Sequence, residues 1–122
     1  MLNLNSVMLG TEDPKKLADF YIKVLEKKPD MEESNYIGFL AGSCFLSIGI
    51  HDKAKGKNPN PERIIMFFET KEVEAEFNRI KDIDGAEVVK EPYRPNPDGS
   101  FWLATLADPD GNYFQLASPW NQ

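Results

Sequence analysis

An α+β fold made of two tandem modules follows from three observations. A single order of elements, strand, helix, then strands, occurs twice along the chain. A Pro/Gly-rich charged stretch, Asp52 to Glu62, falls near the midpoint and separates the two occurrences. Two helical stripes, one in each half, superimpose when the sequence is shifted by 56 residues, pairing Leu17 with Val73, Tyr21 with Phe77 and Val24 with Ile80. Matching Ala18 and Phe20 to Ala75 and Phe77 instead gives 57, so the register is open by a residue.

In the first half, Leu2–Leu9 reads as a buried strand, with Asn3, Asn5, Val7 and Leu9 on one face and Leu2, Leu4, Ser6 and Met8 on the other. Asp13-Pro14 then starts a helix. Asp accepts an orphan amide at the N-cap, and Pro at the first helical position loses no hydrogen bond. Leu17, Phe20, Tyr21, Val24 and Leu25 form one apolar stripe, read as core packing. Tyr36–Leu40 and Cys44–Ile50 form a hairpin around Gly42, and His51 closes the second strand.

The second half runs as strand Ile64–Phe68, a helix from Thr70, strand Ala86–Val89, then Phe101–Leu106 and Tyr113–Ala117. Between the last two lies Asp108-Pro109-Asp110-Gly111-Asn112, a tight turn in which Pro109 presets φ, Asp110 tolerates a left-handed conformation and Gly111 supplies positive φ. In the closing strand Tyr113, Gln115 and Ala117 share one face. A polar Gln there marks a face that meets something other than core. Each module exposes a sheet edge and one apolar sheet face, so pairing the modules would cover both. A curved sheet wrapped in this way leaves a concave side for ligand.

Length and composition bound the function. At 122 residues, 41% of them hydrophobic, the chain is one domain with a real core: module one over 1–51, a linker over 52–62 and module two over 63–118. A single cysteine, Cys44, rules out an internal disulfide and is read as an inert buried thiol at the start of an apolar strand. No signal segment is apparent, which makes a reducing cytoplasmic setting the expectation. No apolar run approaches the roughly 20 residues needed to span a bilayer. A net charge of −6 repels polyphosphate and argues against nucleic acid. Lys53, Lys55, Lys57 and Arg63 are read as solvating the linker rather than as an anion site.

The opening strand with Asp13-Pro14-Lys15-Lys16-Leu17-Ala18-Asp19-Phe20-Tyr21-Ile22-Lys23-Val24-Leu25, the mid-chain restart at Arg63–Phe68, and the closing Asp108-Pro109-Asp110-Gly111-Asn112-Tyr113-Phe114-Gln115-Leu116 resemble the vicinal oxygen chelate superfamily. That group contains glyoxalase I, bleomycin-resistance proteins and extradiol dioxygenases. The resemblance spans nearly the whole chain. It implies tandem βαβββ modules forming a curved, partly closed mixed sheet with a concave ligand cleft, and a homodimer. In metal-dependent members, His on the first and fifth strands and Glu on the last hold a divalent ion, sometimes with a carboxylate from the fourth.

Carried over residue by residue, the first-strand position is Asn5, the fifth lies within Pro61–Ile65, the last is Gln115, and Cys44, Leu46 and Ser47 stand near the fourth. Within Pro61–Ile65 the one carboxylate is Glu62. Neutral amides bind divalent ions far more weakly than carboxylate or imidazole, so no cofactor is expected, a divalent metal being the alternative. The one histidine, His51, beside Asp52, falls short of a three-ligand site.

A small-molecule binding or sequestering protein is therefore the leading expectation. Asn5, Gln115, Tyr113, Phe101, Trp102, Phe45 and Ser47 are its candidate ligand-binding residues, joined by the aromatics Tyr36, Phe39, Tyr93 and Trp120 as flat walls for a planar or cationic ligand. Two alternatives stay open. One is a lyase, isomerase or dioxygenase with a relocated or metal-free site, for which Glu62, Glu69 and Glu91 are the candidate catalytic groups. The other is a non-catalytic dimeric interaction module.

Overall fold

The Asp13 carboxylate accepts the Lys16 backbone N–H at 3.1 Å, and Pro14 follows as the first helical residue. This cap starts α1, Pro14–Leu25, after strand β1, Ser6–Thr11. The computed structural model, which describes residues 1–120, continues with β2 (Met31–Glu33), β3 (Tyr36–Ala41) and β4 (Cys44–Ile50). The second set is β5 (Met66–Glu69), α2 (Val73–Ile80), β6 (Glu87–Tyr93), β7 (Leu103–Ala107) and β8 (Tyr113–Ala117). The chain forms two compact units that meet in sequence between Gly56 and Lys57, inside the expected linker.

Each unit is an open four-stranded mixed sheet with one helix, in the orders β1-β4-β3-β2 and β5-β8-β7-β6. In both, the first strand runs parallel to the last and the remaining pairs are antiparallel. One face of each sheet is covered by its helix. In the first unit Ile37, Phe39, Leu46 and Ile48 are buried with Leu17, Tyr21 and Val24 of α1; in the second, Ala104, Leu106, Phe114 and Leu116 are buried with Val73, Phe77 and Ile80 of α2. Phe68 meets Phe114 edge to face at 5.8 Å.

Several expected boundaries move. β1 begins at Ser6 rather than Leu2, because β4 offers parallel partners only for Ser6–Thr11; Leu2 and Leu4 are 99% and 86% exposed. β2 was not expected: its three residues are all exposed and pair through the backbone with β3, leaving no alternation in the sequence. β5 starts at Met66, α2 at Val73, and β7 at Leu103, so Phe101 and Trp102 precede the strand. β6 runs on to Tyr93 through Pro92, which an edge strand with register shifts at Lys90 and Tyr93 tolerates.

The repeat also takes a definite register. Thr11 Oγ1 accepts the Asp13 N–H at 3.1 Å and Thr70 Oγ1 accepts the Glu72 N–H at 3.0 Å, an offset of 59. At that offset buried Pro14, Ala18 and Tyr21 fall on Val73, Phe77 and Ile80. The sequence offsets of 56 and 57 slip the helices by about one turn, which a 3.6-residue stripe does not resist.

Candidate functional site

The face of each sheet turned away from its helix carries several of the candidate residues. In the first unit Met8 of β1 is paired with Ser47 of β4, and Ser6 with Phe45. In the second, Phe67 of β5 is paired with Gln115 of β8. The offset of 59 that places Thr11 on Thr70 also places Met8 on Phe67, so Ser47 and Gln115 hold equivalent positions beside them. Of the three residues near the fourth-strand position, Ser47 is the one on this face; Leu46 is buried toward α1 and Cys44 is half-buried rather than enclosed.

Asn5 stands just before β1, exposed, and its carbonyl accepts the Phe45 N–H at 2.9 Å. The polar residue that β1 itself presents is Ser6, which alternation counted from Leu2 hid on the opposite face. Ser47 Oγ donates to the Val7 carbonyl at 3.4 Å. The Phe45 ring lies against Gly38: a Cβ on that glycine would meet it at 2.4 Å. A Cβ on Gly49 would likewise meet the Tyr36 ring at 3.3 Å and the Met8 sulfur at 3.4 Å.

Gln115 is central in the second unit, flanked by Phe67 on β5 and Thr105 on β7, with Tyr113 and Ala117 on the same face. Its Oε1 is buried and, among the described residues, has no hydrogen-bond partner. The Asp108 turn delivers this strand. Asp108 is 1% exposed, and its Oδ1 accepts N–H groups from Asp110 and Asn112 at 2.9 and 3.0 Å. Gly111 takes φ 80°, whereas Asp110 does not adopt a left-handed conformation.

Phe101 and Trp102 have different neighbours. Phe101 packs against Trp120 with ring centroids 5.8 Å apart, while Trp102 has Arg94 over its ring at 5.6 Å and donates its backbone N–H to Ser118 Oγ at 2.9 Å. Phe67, absent from the expected set, belongs to this face; its alternation with Met66 and Phe68 is masked by three consecutive apolar residues.

The carboxylates do not gather. Glu62 is exposed in the linker, Glu69 is on β5 and Glu91 on β6, and those strands are opposite edges of one sheet. Three strand spacings separate them by roughly 14 Å. His51 Nδ1 accepts the Lys53 N–H at 3.1 Å, leaving it engaged at the strand end. Lys53, Lys57 and Arg63 are exposed, and Lys55 stands 4.0 Å from Glu12. Among the described residues no group of three or more His, Cys, Asp or Glu is placed to hold a metal ion, and no helix is long and apolar enough to cross a membrane.

The glyoxalase-like domain family model matches residues 6–117. The chain belongs to the glyoxalase-like domain family. Its fold is similar to that of a glyoxalase-related enzyme from Fulvimarina pelagi (17% identity, 98% of this chain and 89% of that one, TM-score 0.77). It is also similar to a genomically encoded fosfomycin resistance protein from Listeria monocytogenes (21%, 99% and 96%, TM-score 0.74). A lactoylglutathione lyase from Agrobacterium tumefaciens matches at 17% identity over 98% of this chain and 96% of that one, with a TM-score of 0.72. No curated protein matches the chain.

At the central sheet positions of this glyoxalase-like chain, neither unit by itself offers a divalent ion a fitting set of donors. The first unit presents Ser6, Met8 and Ser47, and the second presents Phe67 and Gln115, with Ile65 just ahead of β5. These are hydroxyls, a thioether, hydrocarbon and one amide, with neither imidazole nor carboxylate among them.

Proposed function

We propose that this glyoxalase-like protein binds and sequesters a small molecule, without the superfamily metal and without turnover, as a cytoplasmic homodimer. The observation that carries this reading is the Gln115 amide: its Oε1 is buried without a hydrogen-bond partner among the described residues, at the position where the superfamily resemblance implies a carboxylate. An unsatisfied buried acceptor costs about 1–3 kcal/mol, a cost best accounted for by a ligand that brings a donor to it. Tyr113 and Phe67 on the same face offer rings against which that ligand packs. The enzymatic alternative needs converging acids, and Glu69 and Glu91 sit on opposite sheet edges.

A thermal-shift screen of charged and neutral small molecules in chelator tests the reading. A ligand at 100 times its Kd adds about 2.7 kcal/mol and raises Tm measurably. Recovery of the unchanged compound from the complex is expected; a transformed product would overturn the sequestering role.

A further inference from the structure

A pocket of about 350 Å³ opens beside the end of β8, lined by Phe67, Glu69, Phe101, Ala117, Ser118 and Trp120. Three of these six are aromatic, one is a carboxylate, and none is basic. Phe101 and Trp120 pack together with ring centroids 5.8 Å apart and planes tilted by 31°, and Trp120 is 86% exposed, so an occupant would cover a large bare ring. Glu69 follows Phe67 by two residues on β5 and therefore shares its face, bringing the charge to the aromatic side of the sheet. Ser118 Oγ is engaged in holding the Trp102 N–H, which leaves Glu69 as the pocket's principal polar group.

We propose that this pocket is a site for a small organic cation of the alkylated ammonium type. The inference rests on the binding role above and adds a subsite next to the amide: Gln115 is not among the lining residues, but its register partner Phe67 is. Ring faces carry negative potential that attracts a weakly hydrated cation, and Glu69 adds a full opposing charge at the edge. An inorganic cation would find one carboxylate where it needs several oxygen donors. An anion would meet Glu69 with no basic partner. The volume lies at the small end of ligand pockets and suits a headgroup of a few heavy atoms rather than a large conjugate.

The test uses choline and its uncharged carbon isostere 3,3-dimethylbutan-1-ol as probes, followed by tryptophan fluorescence and calorimetry on the full chain. Choline should bind saturably and about tenfold more tightly than the isostere, and Glu69→Gln should remove most of that difference. Phe101→Leu should weaken both probes, with circular dichroism verifying that each variant is folded. Equal binding of the two probes, or choline affinity unchanged in Glu69→Gln, overturns the cation assignment. If neutral or anionic compounds stabilise the protein while choline is inert, this assignment fails and the binding role stands. Silence across all three charge classes overturns both.

Discussion

Phe67 and Gln115 are register partners across β5 and β8 on the face turned away from α2, the relationship that Met8 and Ser47 hold across β1 and β4. The two units thus place an apolar side chain beside a short or neutral polar one at equivalent points. In the second unit the polar member is an amide with a buried oxygen that has no partner among the described residues.

Gln115→Met keeps the length of the side chain and removes the orphaned acceptor. Stability in urea is expected to stay level or rise, by up to about 1–3 kcal/mol, while ligand affinity falls. A clear loss of stability would mean that the amide is satisfied within the folded chain.

The two helix starts differ in a testable way. Asp13 caps α1, whereas Glu72 before α2 makes no side-chain cap hydrogen bond. Asp13→Ala should lower stability by about 1 kcal/mol, and Glu72→Ser should raise it by up to a similar amount. Denaturant midpoints at constant m-value read both.

Gly38→Ala forces a Cβ into the Phe45 ring, whose nearest carbons would stand 2.4 Å from the added atom. A loss of about 1–3 kcal/mol is expected from the overpacking. In the Phe45→Ala background the same change should be much milder. Strict additivity of the two variants would show that the ring does not rest on Gly38.

Asp30 links the end of α1 to β3. Its Oδ2 accepts from Lys27 Nζ and from the Leu40 N–H, both at 2.7 Å, and Lys27 Nζ also donates to the Leu40 carbonyl at 2.8 Å. The Lys27 hydrogen bond first, and then the Leu40 N–H, hold the Asp30 carboxyl below its ordinary value of 3.8. A carboxyl lowered in the folded state stabilises it fully above the unfolded pKa and loses that contribution as pH falls through the folded one. The destabilisation caused by Asp30→Asn should therefore be present at neutral pH and fade below pH 3.8. Carboxyl NMR titration should place the Asp30 midpoint under that of an unfolded aspartate.

Much of the fold is legible in the residues themselves. Asp13-Pro14, Gly42 and Gly111 act through local chemistry, and the helix start, the hairpin turn and the closing turn lie where that chemistry puts them. What stays hidden depends on partners distant in sequence. β1 is trimmed by the reach of β4, β2 exists through backbone pairing alone, and β6 continues past Pro92 because it is an edge. The same dependence governs the site. Gln115 is visible through its strand parity, but Ser6 and Phe67 become visible once strand register fixes their face, and the pocket at Glu69 needs rings from β5, the segment before β7 and the segment after β8.

Ser6, Met8 and Ser47 in the first unit, and Phe67 and Gln115 in the second, supply neither imidazole nor carboxylate, and metal retention tests the proposed metal-free binding role most directly. Protein loaded with excess zinc, nickel or cobalt, dialysed without chelator and assayed by mass spectrometry should retain substoichiometric metal. One tightly held ion per chain would contradict the proposed metal-free binding role.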